Sequence, residues 1–280
     1  MTPTLKRFAN DGLVFDLYVD GPDDGEPVVL LHGFPQNSSS FGRVVEALVE
    51  AGYRAFRYDQ RGYSPGARPT GARHYAIRRV LGDLVALAER FVLVPFHLVG
   101  HDWGGVVGWH AAGRHPQMLR TYTSLSMPHP SAYLRALRTR SQFRSALYAA
   151  FFQLPYFPER KLGQSDFERL RRGLMSTGLP EEFAARYTAR MTEPGALTAA
   201  LNWYRAAGRG LHRLGAPPSR VPTLYVWGSA DPALARAAAD ATESYVAAPY
   251  RFEVLEGAGH WLPETNADDI ARSILEHLGR

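Results

Sequence analysis

The residues Gly100-His101-Asp102-Trp103-Gly104-Gly105 carry the first chemical signal in this chain. They follow an apolar run, Phe96-His97-Leu98-Val99, that reads as a buried strand, and they open a segment, Val106 to Ala112, that reads as a helix. A Gly-x-nucleophile-x-Gly turn between a strand and a helix is a nucleophile elbow, and its glycines let the two elements approach closely around a sharp bend. The residue at the nucleophile position is Asp102. A carboxylate, with a reference pKa of about 3.9, attacks without prior deprotonation. It forms an ester with an alkyl carbon, and water must then hydrolyse that ester. This chemistry fits the opening of an epoxide, or the displacement of halide from carbon, better than ordinary ester cleavage.

Three further segments give the elbow its weight. Trp227-Gly228-Ser229-Ala230-Asp231-Pro232 places a carboxylate just past the end of a strand-like run. Gly257-Ala258-Gly259-His260-Trp261 places an imidazole in a Gly-rich loop after the next one. The order Asp102, Asp231, His260 is a nucleophile–acid–base order. Here His260 would activate the ester-cleaving water and Asp231 would orient the imidazole. The other place for an acid, Ser124-Leu-Ser-Met-Pro128, holds no carboxylate. His32-Gly33-Phe34-Pro35 follows a third strand-like run and is expected to supply an oxyanion donor, the Phe34 N–H, with the Trp103 N–H as the second. Asp59-Gln-Arg61-Gly62-Tyr63-Ser64 reads as a charged turn with a structural ion pair rather than a catalytic one.

These segments need elements to hold them. Phe15 to Val19 alternates as an early strand, and Pro27 to His32 is continuously apolar, as a strand covered on both faces should be. Arg54 to Tyr58, Phe96 to Gly100, Thr121 to Met127, Thr223 to Trp227 and Arg251 to Leu255 complete the strand signals. Helical patterns fall between them: Phe41, Val44, Val45 and Leu48 after caps at Ser38 to Ser40, then Tyr75 to Arg90, then Ile270 to Leu278 behind a cap at Asn266. The alternation argues for an α/β fold: a mostly parallel sheet with helices on both faces. Between about Pro128 and Pro218 strand signals stop, and helical patterns are punctuated by Pro and Gly. The expected organisation is a core over 1–128 and 219–280 with an inserted helical cap over 129–218.

Composition sets the remaining bounds. The chain has 280 residues, 45% of them hydrophobic, with no Cys and a net charge of +5. Without Cys there is no disulfide, no thiolate nucleophile and no Cys-based metal site. The histidines show no metal-ligand spacing and no phosphate-binding glycine loop appears, so no metal and no cofactor are expected. The arginines are scattered and the lysines are Lys6 and Lys161, so the positive charge does not read as a nucleic-acid partner. Arg135, Arg138, Arg140 and Arg144 read as a solvated helix face. With neither a signal-like start nor a spanning apolar run, a cytoplasmic protein with no membrane partner, monomer or homodimer, is expected.

Taken together, the pieces resemble the epoxide hydrolases of the α/β-hydrolase superfamily: His32-Gly-Phe-Pro35, Asp59-x-Arg-Gly-Tyr63, the Asp102 elbow, Asp231 and Gly259-His-Trp261. They span nearly the whole chain. The resemblance implies the α/β-hydrolase fold with a cap, and a small apolar epoxide and water as substrates. It also implies two ring-opening tyrosines from the cap. Leu201-Asn202-Trp203-Tyr204-Arg205 matches the family segment of one, and Tyr148-Ala-Ala-Phe-Phe-Gln-Leu-Pro155 that of the other, which nominates Tyr204 and Tyr148. Phenols with pKa near 10 stay protonated at neutral pH and can donate to the oxygen as the ring opens. Phe34, Trp103 and Trp203 are expected to line the substrate site. The alternative is a haloalkane or haloacetate dehalogenase, with the same nucleophile and with the Trp103 and Trp203 indoles as halide donors. A non-catalytic binding protein on a hydrolase fold would instead show a broken triad.

Overall fold

The computed structural model describes residues 3–91 and 93–279. Among these, eight strands form one sheet in the order β1-β2-β4-β3-β5-β6-β7-β8. They are β1 (Thr4–Asn10), β2 (Leu13–Asp20), β3 (Glu26–Leu31), β4 (Tyr53–Tyr58), β5 (Phe96–His101), β6 (Leu119–Leu125), β7 (Thr223–Gly228) and β8 (Tyr250–Leu255). β1 pairs with β2, and β2 with β4, antiparallel; all other pairs are parallel. β1 carries no clear alternation, since it is an edge strand with most of its positions open to solvent. The Asp11-Gly12 turn behind it, with both residues at positive φ, is the hairpin signal that marks it.

The apolar run in β3 resolves into two faces. Val28 and Leu30 pack with α1 (Gly42–Glu50) and the C-terminal helix, while Val29 and Leu31 join the opposite core with α2 (Ile77–Phe91) and α3 (Trp103–Arg114). These four positions are all buried because each side of the strand has its own helical layer. The side-chain cap ahead of α1 comes from Asn37, which accepts from the Ser39 N–H at 3.0 Å; the serines themselves form a short 3-10 turn. Asn266 precedes the last helix but makes no side-chain cap, because its Oδ1 accepts the Thr265 hydroxyl instead.

Between β6 and β7 the chain is helical: α4 (Pro130–Ala136), α5 (Arg140–Ser145), α6 (Leu147–Phe151), α7 (Phe157–Leu162), α8 (Glu168–Ser176), α9 (Glu181–Met191), α10 (Ala196–Arg209) and α11 (Leu211–Leu214). Its apolar side chains, Leu170, Tyr187, Leu201 and Tyr204 among them, join the same core cluster as Phe15, Leu31 and Phe96. After β7 come α12 (Arg236–Asp240), α13 (Leu262–Thr265) and α14 (Ala267–Leu278). Among the described residues no helix is long and apolar enough to cross a membrane.

Candidate active site

Asp102 sits between β5 and α3 with φ 51° and ψ −119°, a positive-φ backbone that a non-glycine residue adopts at a cost. The bend survives because its neighbours are small. A Cβ on Gly104 would lie 2.1 Å from the Leu31 carbonyl oxygen, and one on Gly33 would lie 2.4 Å from the Asp102 side chain. The Asp102 carboxylate is nearly buried, and its Oδ1 accepts the Phe34 N–H at 2.9 Å. Trp103 is the first residue of α3, so its N–H is one of the amides for which a helix provides no carbonyl. The start of α3 also sets a positive potential beside the carboxylate.

His260 lies in the loop after β8. Its Nδ1 is 2.8 Å from Oδ2 of Asp231, and its Nε2 is 3.7 Å from Oδ2 of Asp102. The side chain of Asp231, after β7, is fully buried, and its other oxygen accepts the N–H groups of Ala233 and Leu234 at 2.8 and 3.1 Å. Those bonds fix the carboxylate that fixes the imidazole. Burial pulls the His260 pKa down, but the Asp231 carboxylate and that of Asp102 overcome it and push it up to about 10. Burial works against the charged form of Asp102 too; the neighbouring His260 imidazolium holds its pKa below the ordinary carboxylate value. The resting site therefore holds an imidazolium between two carboxylates.

A cavity of about 330 Å³ opens over these groups, walled by Phe34, Asp102, Tyr148, Phe152, Tyr204 and His260, among others, and largely apolar. The Tyr148 and Tyr204 rings stand 5.9 Å apart, and Tyr204 meets Phe34 edge-on at 5.2 Å. Burial pushes both phenols well above 10, so both are protonated at neutral pH. Tyr148 is 41% exposed as a residue; its ring forms part of the cavity wall, so this surface includes the cavity.

Two tryptophans stand elsewhere. The sequence reading puts Trp203 at the substrate, but it does not line the cavity: its indole N–H donates to the Arg61 carbonyl at 2.8 Å and its ring is buried. The Trp103 ring packs behind Tyr204 at 5.1 Å and against Trp203 at 5.7 Å, and it too lies outside the cavity wall. Both rings point away from this cavity: Trp203 is buried, and Trp103 is partly buried against the core. The Asp59–Arg61 turn is structural: Arg61 is buried with Asp83, 2.7 Å away, and Asp59 accepts the Ser38 N–H and pairs with Arg190.

Sequence reasoning missed a second layer. Gln36 accepts the Gly33 N–H at 2.8 Å and donates to Glu264 at 2.7 Å, beside which the Tyr187 hydroxyl donates at 2.6 Å. One ring nitrogen of His101 faces Gln36 Oε1 at 2.8 Å and the other faces the His260 carbonyl at 2.9 Å. The network ties the loop of Gly33 and Phe34 to the loop of His260. Its only signal in sequence is adjacency, Gln36 next to the His-Gly-Phe-Pro run and His101 next to Asp102. Among the described residues no group of His, Cys, Asp and Glu is arranged to hold a metal ion.

Comparison with known proteins bears on the fold and the family. Residues 26–267 match the alpha/beta hydrolase fold family. The chain is 35% identical to the AB hydrolase superfamily protein YfhM of Bacillus subtilis, over 97% of each chain. It is 32% identical to Epoxide hydrolase A of Mycobacterium tuberculosis, over 93% of this chain and 92% of that protein. Among solved structures, epoxide hydrolase A from Mycobacterium thermoresistibile superposes with a TM-score of 0.86 at 27% identity, covering 99% of this chain and 98% of that one.

Proposed function

This chain belongs to the epoxide hydrolases of the α/β-hydrolase superfamily, and we propose that it opens an apolar epoxide to a vicinal diol through an ester on Asp102. The observation that carries the reading is the pair of protonated phenols, Tyr148 and Tyr204, on the wall of the same cavity as Asp102 and His260. In the first step Oδ2 of Asp102 attacks an epoxide carbon and the C–O bond breaks. The departing oxygen takes a proton from a tyrosine as its charge develops. Burial makes the resulting tyrosinate a strong base, and the His260 imidazolium restores its proton.

Alkylation also removes the negative charge of Asp102, one of the causes that hold the His260 pKa high. The imidazole is thus neutral when a base is needed. It takes a proton from water, and the hydroxide adds to Cγ of the ester. The oxyanion gathers on the oxygen that the Phe34 N–H already holds, with the Trp103 N–H as second donor. Collapse expels the diol, which leaves with the acid proton of Asp102, and the imidazolium and two carboxylates are restored. Residues 129–218 act as a cap that supplies both tyrosines and keeps the cavity apolar; 1–128 and 219–280 form the core that holds the triad.

The dehalogenase alternative loses a donor here, because the Trp203 indole is spent on Arg61. A panel of aryl epoxides, aliphatic epoxides, haloalkanes and fluoroacetate, read by diol and halide release, tests the proposal. Halide release without diol formation from any epoxide would overturn it.

A further inference from the structure

The cap presents an apolar and cationic face that the reaction does not use. Of the eleven large apolar residues that lie exposed among the described residues, six fall between Phe143 and Phe157. One of them, Tyr148, lines the catalytic cavity; the five outside it are Phe143, Leu147, Leu154, Tyr156 and Phe157, with Tyr156 86% exposed. They fall on consecutive elements: α5 leads directly into α6, and Phe151 of α6 meets Phe157 of α7 at 5.9 Å. Isolated exposed apolar residues need no explanation, but a cluster of this size marks an interaction surface.

The charge on that face has one sign. From His129 to Pro158 there is no Asp or Glu, while Arg135, Arg138, Arg140 and Arg144 are all present and exposed. None of the four makes an ion pair among the described residues, and the next acid, Glu159, is committed to Arg205. Arg160 and Lys161 extend the charge and lie over the Phe157 ring. The loop carrying Leu154 and Tyr156 is not loose. Arg205 holds the carbonyls of Phe152 and Leu154 at 3.2 and 2.8 Å, and Gln153 donates to the Tyr204 carbonyl at 2.9 Å. The apolar residues are therefore held outward by a fixed scaffold.

We infer that this face docks on a bilayer containing anionic phospholipid, with α5 to α7 at the interface. Aromatic and aliphatic side chains enter the acyl boundary while arginines meet the headgroup phosphates, the pairing that interfacial helices use. Ser145, Tyr148 and Phe151 lie on the same helices and line the catalytic cavity, so docking brings the cavity to the lipid. Resting on the epoxide reading of that cavity, the ligand class is then a lipophilic epoxide dissolved in the membrane.

Co-sedimentation of the full chain with vesicles separates this from its rivals and needs no turnover, so it stands or falls apart from the epoxide reading. Binding is expected to phosphatidylcholine vesicles carrying phosphatidylglycerol, to weaken with salt, and to be absent with phosphatidylcholine alone. Each of Arg138→Gln, Arg140→Gln and Arg144→Gln should weaken it about fivefold. The triple change Phe143→Ser, Leu147→Ser, Tyr156→Ser should abolish it with the unfolding temperature kept. Equal binding to both vesicle types, binding to neither, or binding unaffected by these changes would overturn the inference. So would a dimer, seen by light scattering, that the triple change dissolves, because a second copy would then cover the face.

Discussion

Nε2 of His260 and Oδ2 of Asp102 stand 3.7 Å apart, too far for a hydrogen bond, although both groups are charged and buried. In the proposed mechanism this oxygen attacks, stabilised by the imidazolium without being tied to it. His260, the base proposed to serve the ester, is already held by Asp231 at 2.8 Å. On the proposed mechanism, attack and hydrolysis draw on the same histidine in opposite protonation states.

If His260 acts as base only after alkylation, His260→Gln should form the ester and fail to cleave it. Intact-protein mass spectrometry should show a persistent adduct of substrate mass on Asp102. A variant that turns over normally, or one that never forms the adduct with a proven substrate, would remove this role.

On the proposed mechanism the phenols act where negative charge grows on the epoxide oxygen. General acid catalysis is typically worth about 10²–10⁴-fold, so the double change Tyr148→Phe, Tyr204→Phe should slow alkylation by at least about 10². Either single change should cost less, since the partner phenol can still donate. Stopped-flow tryptophan fluorescence follows the step, and near wild-type alkylation by the double variant would end the paired-tyrosine argument.

Much of this is legible in the sequence. The elbow, the two loops after β7 and β8 and their order depend on local patterns: apolar runs, glycines and single reactive residues at strand ends. What escapes is orientation. Nothing local says that the Trp203 indole reaches across to Arg61, 142 residues away, or that Glu264 meets Gln36, 228 residues away. Asn266 has the right type and place for a cap, yet a neighbouring hydroxyl takes its side chain. β1 lacks a periodic signal because an edge strand leaves most of its positions open to solvent.

Asp102→Asn removes one of the two carboxylates beside His260 and imitates the neutral ester. The His260 pKa should then fall from its raised value of about 10, as followed by imidazole NMR against pH. The same raised value is a stability statement. A histidine with an unfolded pKa of about 6.5 contributes its stabilisation in full below that pH and loses it as pH climbs through about 10. Wild type should therefore melt at progressively lower temperature over that window, and the Asp102→Asn variant less steeply; an unchanged histidine titration in the variant would contradict the charge coupling.

Trp203→Phe deletes the donor to a buried carbonyl. The expected cost is about 1–3 kcal/mol in stability, read as a lowered denaturant midpoint, with alkylation slowed by little. Strong loss of halide release with stability intact would instead return Trp203 to the chemistry.

The covalent ester on Asp102 is the central claim, and single turnover in heavy-oxygen water tests it most directly. With enzyme in excess over an epoxide substrate, the first diol should be unlabelled and the heavy oxygen should appear in the Asp102 carboxylate, found by peptide mass spectrometry. Label in that first diol, with Asp102 unlabelled, would mean that water attacks the epoxide directly.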